Sequence, residues 1–212
     1  MQEMNAKISE RILETKKYCN QLQSENKGLR KQTLVDFQKF ILGTGISKKE
    51  QHAIFNASSI YILNGFRDNS EAVREQAIKL ISVFMIDMLP RNDYYISYLF
   101  PVLVERLGTS ELTEESEEIR LQLLKLLELV IIKYSEDNLL KPFLNDIIMI
   151  LKETVQDKYP AVKEISCNCI VKLSTALPRD FHLQAETLVK PVLSNFNHRR
   201  YKIRCEAVKC IG

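Results

Sequence analysis

Apolar residues return along this chain in a helical rhythm that is itself repeated five times. An apolar residue followed by a basic one stands at Leu29-Arg30, Val73-Arg74, Ile119-Arg120, Val162-Lys163 and Ile203-Arg204. Four residues after each basic position come Leu34, Ile78, Leu124, Cys167 and Val208, and seven after it come Phe37, Ile81, Leu127, Ile170 and Ile211. Ten after it, in the first four repeats, come Phe40, Phe84, Val130 and Leu173. Offsets of −1, +4, +7 and +10 fall on one face of a helix of about 3.6 residues per turn. Each repeat therefore predicts a helix with one buried stripe.

The basic positions are separated by 44, 46, 43 and 41 residues. Such periods belong to two-helix HEAT or armadillo repeats, in which a hairpin too small to bury its apolar face stacks on its neighbours. The chain is read as one all-α array, a right-handed α-solenoid of about five hairpins over 1–45, 46–90, 91–135, 136–178 and 179–212. The helices are expected at 3–24 and 28–42, 48–66 and 70–88, 92–107 and 114–134, 137–156 and 160–176, and 180–196 and 199–212. Ser47 with Glu50 forms a capping box. Gly43 and Gly45 mark the stop before it, and Pro90 ends the second hairpin. Pro101, Pro142 and Pro191 fall in first helices, where proline kinks the backbone. The fifth hairpin reaches Gly212 with no polar capping repeat, which leads us to expect a longer array.

Six residues before the basic positions stand Ser24, Asp68, Glu114, Asp157 and His198, in the turn between the two helices. An acid there can cap the second helix and meet its dipole. The basic residue one turn into that helix can reach the acid of its own or an adjacent hairpin. The expected ladder comprises Asp68, Arg74, Glu114, Arg120, Asp157, Lys163, His198 and Arg204. Its role is to set geometry, because an exposed pair contributes only about 0–1 kcal/mol.

Composition narrows the function. Lys and Arg number 30 against 27 Asp and Glu, a net charge of +3, weaker than a dedicated nucleic-acid binder usually carries. The first thirty residues are charged throughout, with no apolar signal segment, and stretches such as 129–132 are far too short to span a bilayer. Five scattered Cys fit a reducing compartment. The partners expected are proteins, not nucleic acid or membrane.

Nothing in the sequence supports catalysis, a metal or a cofactor. Cys167 and Cys169 project about 200° apart on a helix, and Cys205 and Cys210 about 140°, so neither pair chelates one ion. His52, His182 and His198 lack a nucleophile elbow or a zinc-binding spacing. Two charged runs are candidate partner surfaces: Glu111, Glu115, Glu117 and Glu118 in the longest turn, and Arg199 and Arg200 beside His198. Each is more simply read as a solvated turn. Tyr94, Tyr95 and Tyr98 are read as packing partly into the interface between repeats.

The stretch Val162-Lys163-Glu164-Ile165-Ser166-Cys167-Asn168-Cys169 resembles the HEAT-repeat dynein axonemal assembly factor family. So do Asp180-Phe181-His182-Leu183-Gln184, its continuation through Glu186, Leu188 and Pro191, and the segment from Lys202 to Gly212. Residues 1–134 agree mainly in repeat register. The resemblance implies a cytoplasmic, non-catalytic scaffold that helps preassemble dynein arms for motile cilia. The partners it implies are dynein intermediate or heavy chains, chaperones and other assembly factors. The columns by themselves are equally compatible with a transport-receptor-like or phosphatase-scaffold-like adaptor. A tubulin-binding HEAT domain fits less well, since the chain has no Trp and its turn column is largely acidic.

Overall fold

A computed structural model describes residues 2–43, 45–111, 113–136 and 138–211. The expected helix boundaries at 137 and 212 lie outside the described residues. The described residues form α-helices with short 3₁₀ and π segments and contain no strand. They pack as two compact bodies, Met1–Pro90 and Arg91–Gly212.

The first body holds α1 (Gln2–Gln21), α2 (Lys27–Ile41), α3 (Lys48–Asn64) and α4 (Glu71–Ser82). First helix packs on first helix, α1 on α3, and second on second, α2 on α4. Asn26 caps α2 by accepting from the amides of Gly28 and Leu29. The Ser47–Glu50 capping box is formed at α3. Gly45 stands at φ +90°, a conformation that costs a residue without Cβ very little. Gly65 admits the close approach of α4: a Cβ there would lie 2.8 Å from that of Ala77. Beyond Ser82 the chain widens into a π segment, Val83–Met88, where the Leu89 amide donates to the Phe84 carbonyl. This turn closes a core in which Phe84 meets Phe55 edge-on at 5.5 Å and Phe37 at 6.5 Å.

The second body holds α5 (Asp93–Ile96), α6 (Phe100–Leu107), α7 (Glu117–Lys133), α8 (Leu144–Thr154), α9 (Pro160–Ala176), α10 (Pro178–His182), α11 (Glu186–Leu193) and α12 (Tyr201–Lys209). The same layering recurs, with α6, α8 and α11 in one layer and α7, α9 and α12 in the other. The first helices are more broken than the sequence suggested. The span 92–107 divides into α5 and α6, with Pro101 in the opening turn of α6. Pro142 lies in a 3₁₀ turn, Lys141–Phe143, ahead of α8. Pro178 opens α10, and the span 180–196 divides at residues 183–185. Proline fits a first turn, where its missing N–H satisfies no bond, so these helices start at proline where a kink was expected. Pro191 alone sits inside a helix, in α11.

The stripe columns are buried through the middle of the chain. Val73, Ile119, Val162 and Ile203 fill the −1 column, and Phe84, Val130 and Leu173 the +10 column. Leu29 in the first hairpin is 41% exposed, and Val208 and Ile211 in the last are 56% and 50% exposed. Tyr134 is also buried, packed in the second body with no hydrogen-bond partner for its hydroxyl among the described residues. Burial pushes its ionisation up to about 12. An orphaned hydroxyl carries a desolvation cost of about 1–3 kcal/mol. Tyr134→Phe is therefore expected to raise the urea midpoint, by up to about 1 kcal/mol in stability. A loss of stability in that titration would mean the hydroxyl is bonded in solution.

Candidate functional site: the turns between paired helices

The two helices of each hairpin meet at a turn, and the polar chemistry of the chain gathers there. In the first body Arg30 projects from α2 and grips Asp68 of the next turn in a two-point bond, Nε to Oδ2 at 2.6 Å and Nη2 to Oδ1 at 2.7 Å. Its remaining nitrogen, Nη1, donates to the carbonyls of Ser24 and Glu25 in its own turn, at 2.8 and 2.9 Å. Arg120 repeats the arrangement in the second body. It holds Asp157 at 2.6 and 3.0 Å and donates to the carbonyls of Glu114 and Glu115. One guanidinium thus closes its own turn and ties it to the following one, which the planar five-donor fork permits.

The acid has a second task. Oδ1 of Asp68 accepts the Ser70 amide at 2.8 Å, Oδ1 of Asp157 accepts the Tyr159 amide at 2.7 Å, and Oε1 of Glu114 accepts the Ser116 amide at 3.0 Å. Each reaches two residues ahead and fixes the turn that precedes the helix. It does not cap the helix directly, as the sequence had suggested; Ser116 is the side-chain cap of α7. Burial pushes the Asp68 carboxyl upward, yet the Arg30 fork and the Ser70 amide together hold it below its ordinary value.

The other expected members depart from this form. Arg74 donates to the Asp68 carbonyl of its own turn at 2.7 Å. Glu114 is buried against Arg106 of α6 through a 2.5 Å bond that lies outside the expected ladder. Lys163 does not meet His198. Its ammonium donates to Asn195 Oδ1 at 2.8 Å and to the Val155 carbonyl, and Asn195 donates in turn to that carbonyl. Burial lowers the ionisation of Lys163, which suits a neutral amide partner. His198 keeps the turn task of the column: Nδ1 accepts the Arg200 amide at 3.1 Å. That bond requires a neutral ring protonated on Nε2. Partial burial and the nearby Lys163, Arg199 and Arg200 charges favour neutrality by lowering its ionisation. Arg204 closes its own turn at the carbonyls of His198 and Arg199 and lies over the Tyr201 ring.

The two charged runs are exposed. Glu111 and Glu115 precede α7, Glu117 and Glu118 occupy its first turn, and Arg199 and Arg200 precede α12. Tyr95 is buried, while Tyr94 and Tyr98 are partly exposed with their hydroxyls bonded at 2.9 Å. Beside the turns of the third and fourth hairpins lies a cleft of about 410 Å³, lined among others by Arg106, Glu111, Arg120, Asp157 and Lys158. It is lined by no histidine or cysteine, and Arg120 and Asp157 are already committed to each other. Among the described residues no cluster of three His, Cys, Asp or Glu could hold a metal, and no helix is long and apolar enough to cross a membrane.

A family model described as dynein axonemal assembly factor 5-like, TPR repeats, matches residues 21–212. The chain belongs to this family. The description names TPR repeats, whose unit is about 34 residues, whereas the period measured along this member is 41 to 46. Among relatives, Dynein axonemal assembly factor 5 of Xenopus laevis is 33% identical over 196 residues, covering 92% of this chain and 23% of its own length. The Drosophila melanogaster protein of the same name is 29% identical over 207 residues, covering 94% and 24%. The family member described here thus spans about a quarter of the length of the curated relatives it matches. A solved structure of computationally designed armadillo repeat proteins for modular peptide recognition superposes with a TM-score of 0.61 at 15% identity, over 92% of this chain and 79% of the designed one. At that identity it shows the fold alone: all-α helical repeats of armadillo type.

Proposed function

We propose that this chain is a non-catalytic, protein-binding scaffold that assists the preassembly of axonemal dynein arms in the cytoplasm. The observation that carries this reading is the family match, which extends over residues 21–212. The chemistry of the turns agrees with it. Charged groups of the turns are engaged in joining helices, as Arg30 is with Asp68 and Arg120 with Asp157. The partners are dynein intermediate or heavy chains, together with chaperones and other assembly factors. The exposed glutamates Glu111, Glu115, Glu117 and Glu118 and the basic pair Arg199 and Arg200 offer two turns of opposite charge for docking.

The test is affinity capture with the 212-residue chain as bait, in cells that are building motile cilia. Recovery of axonemal dynein chains together with chaperones or assembly factors is the expected result. Recovery of transport cargo, phosphatase subunits or tubulin without dynein would overturn the assignment. Replacing the four exposed glutamates by glutamine should weaken capture without altering the circular dichroism spectrum.

A further inference from the structure

The sequence treats each cysteine only against its own helix, and so misses a pair that forms across two helices. Cys167 lies on α9, fully buried in the stripe that faces the next hairpin. Cys210 follows directly on α12, which packs on α9, and it is partly exposed. Its sulfur lies 3.5 Å from the Cys167 carbonyl oxygen and 3.3 Å from that of Glu206, and each of the two thiols shifts the other's ionisation. A disulfide requires two cysteines on adjoining backbone segments, and the packing of α12 on α9 brings the Cys210 sulfur against the backbone of Cys167.

We propose that Cys167 and Cys210 are a thiol-oxidation site, closing to a reversible disulfide that ties α12 to α9. The division of labour follows from exposure and charge. Cys210 is the sulfur an oxidant can reach. Cys167 is the better thiolate: the neighbouring Cys210 thiol lowers its ionisation against the effect of burial, and the Lys163 charge adds to that. The same proximity, with burial, raises that of Cys210. The oxidant is a low-molecular-weight disulfide such as oxidised glutathione. Cys167, as the thiolate, takes the proton of Cys210 as the Cys210 sulfur attacks one glutathione sulfur and expels glutathione thiolate. Cys167, deprotonated in its turn, attacks the Cys210 sulfur and expels the second glutathione thiolate. The two protein thiols lose two electrons and two protons, and one oxidised glutathione becomes two reduced ones. The product joins second helices of successive hairpins and fixes the packing of α12 on α9.

The experiment treats the folded chain with oxidised glutathione, blocks the remaining thiols, and digests without reduction. The expected product is peptide 164–172 joined to the peptide that begins at Cys210, with fragment ions placing the bond on Cys167 and not on Cys169. The intact chain should lose two hydrogen masses and regain them in dithiothreitol. Cys167→Ala should stop the reaction at a glutathionylated Cys210, and Cys210→Ser should leave Cys167 unmodified. Mapping the unsubstituted chain needs neither variant to fold. A stable mixed disulfide on Cys210 in that chain, reaction at Cys205 alone, or joining of Cys167 and Cys210 only after denaturation would each overturn the proposal.

Discussion

Arg120→Ala is expected to destabilise the second body by about 3–5 kcal/mol, the cost of leaving a buried charge without its partner. Arg120 and Asp157 are 7% and 5% exposed, so the remaining carboxylate cannot be solvated in place. The carbonyls of Glu114 and Glu115 lose their donor in the same step. Arg120→Lys keeps the charge but loses the fork, and should recover only part of the loss. Arg204→Ala is the internal comparison. That side chain closes its own turn but meets no carboxylate in an ion pair among the described residues, so its removal should cost about 0.5–1.5 kcal/mol. Urea titration followed by circular dichroism measures all three. Equal losses at positions 120 and 204 would show that the tie to the next turn adds nothing.

The second large effect belongs to the first body. Phe84→Ala should cost about 3–5 kcal/mol, the range for removing a buried aromatic ring from a packed core. Phe84 is fully buried between Phe37 and Phe55, and it sits where the backbone widens into the π segment. Phe84→Leu fills much of the space and should cost about 1–1.5 kcal/mol. Hydrogen exchange at the amides of α2, α3 and α4 is the companion measurement, and the loss should appear there as reduced protection. Unchanged protection in those helices would contradict the placement of this ring at the centre of the body.

The second helices were almost fully legible in the sequence. The spans 28–42 and 160–176 match α2 and α9 within a residue, because each carries an unbroken stripe and clear end signals. The first helices were less legible. Their apolar pattern runs through Pro101 and Pro142, and pattern alone cannot say whether a proline kinks a helix or begins one. At the turns, the columns hold Arg30, Asp68, Arg120 and Asp157, but they do not say which base meets which acid. What they lacked was direction. Arg30 pairs forward by 38 residues and Arg120 by 37, a recurring offset that can be read from the sequence once the pairing is known.

Asn195 escaped notice because it falls outside the acidic column, three residues before His198. A polar residue on the buried face of an otherwise amphipathic segment was the available signal. Arg106 was missed for another reason. Its partner Glu114 was assigned to the ladder from spacing, while the long third turn brings that carboxylate back onto α6. The cysteine pair is invisible to single-helix geometry, since Cys167 and Cys210 face each other only after α12 has packed on α9.

The recurring joint is the claim on which the rest depends: a guanidinium that closes one turn and holds the acid of the next. Its most direct test is the coupling energy between Arg30 and Asp68, obtained from the stabilities of the parent chain, Arg30→Met, Asp68→Ala and the double variant. A shared joint predicts that the two losses overlap, with a coupling of about 1–3 kcal/mol. Losses that add to within about 0.5 kcal/mol would mean that the pair lies close without acting together.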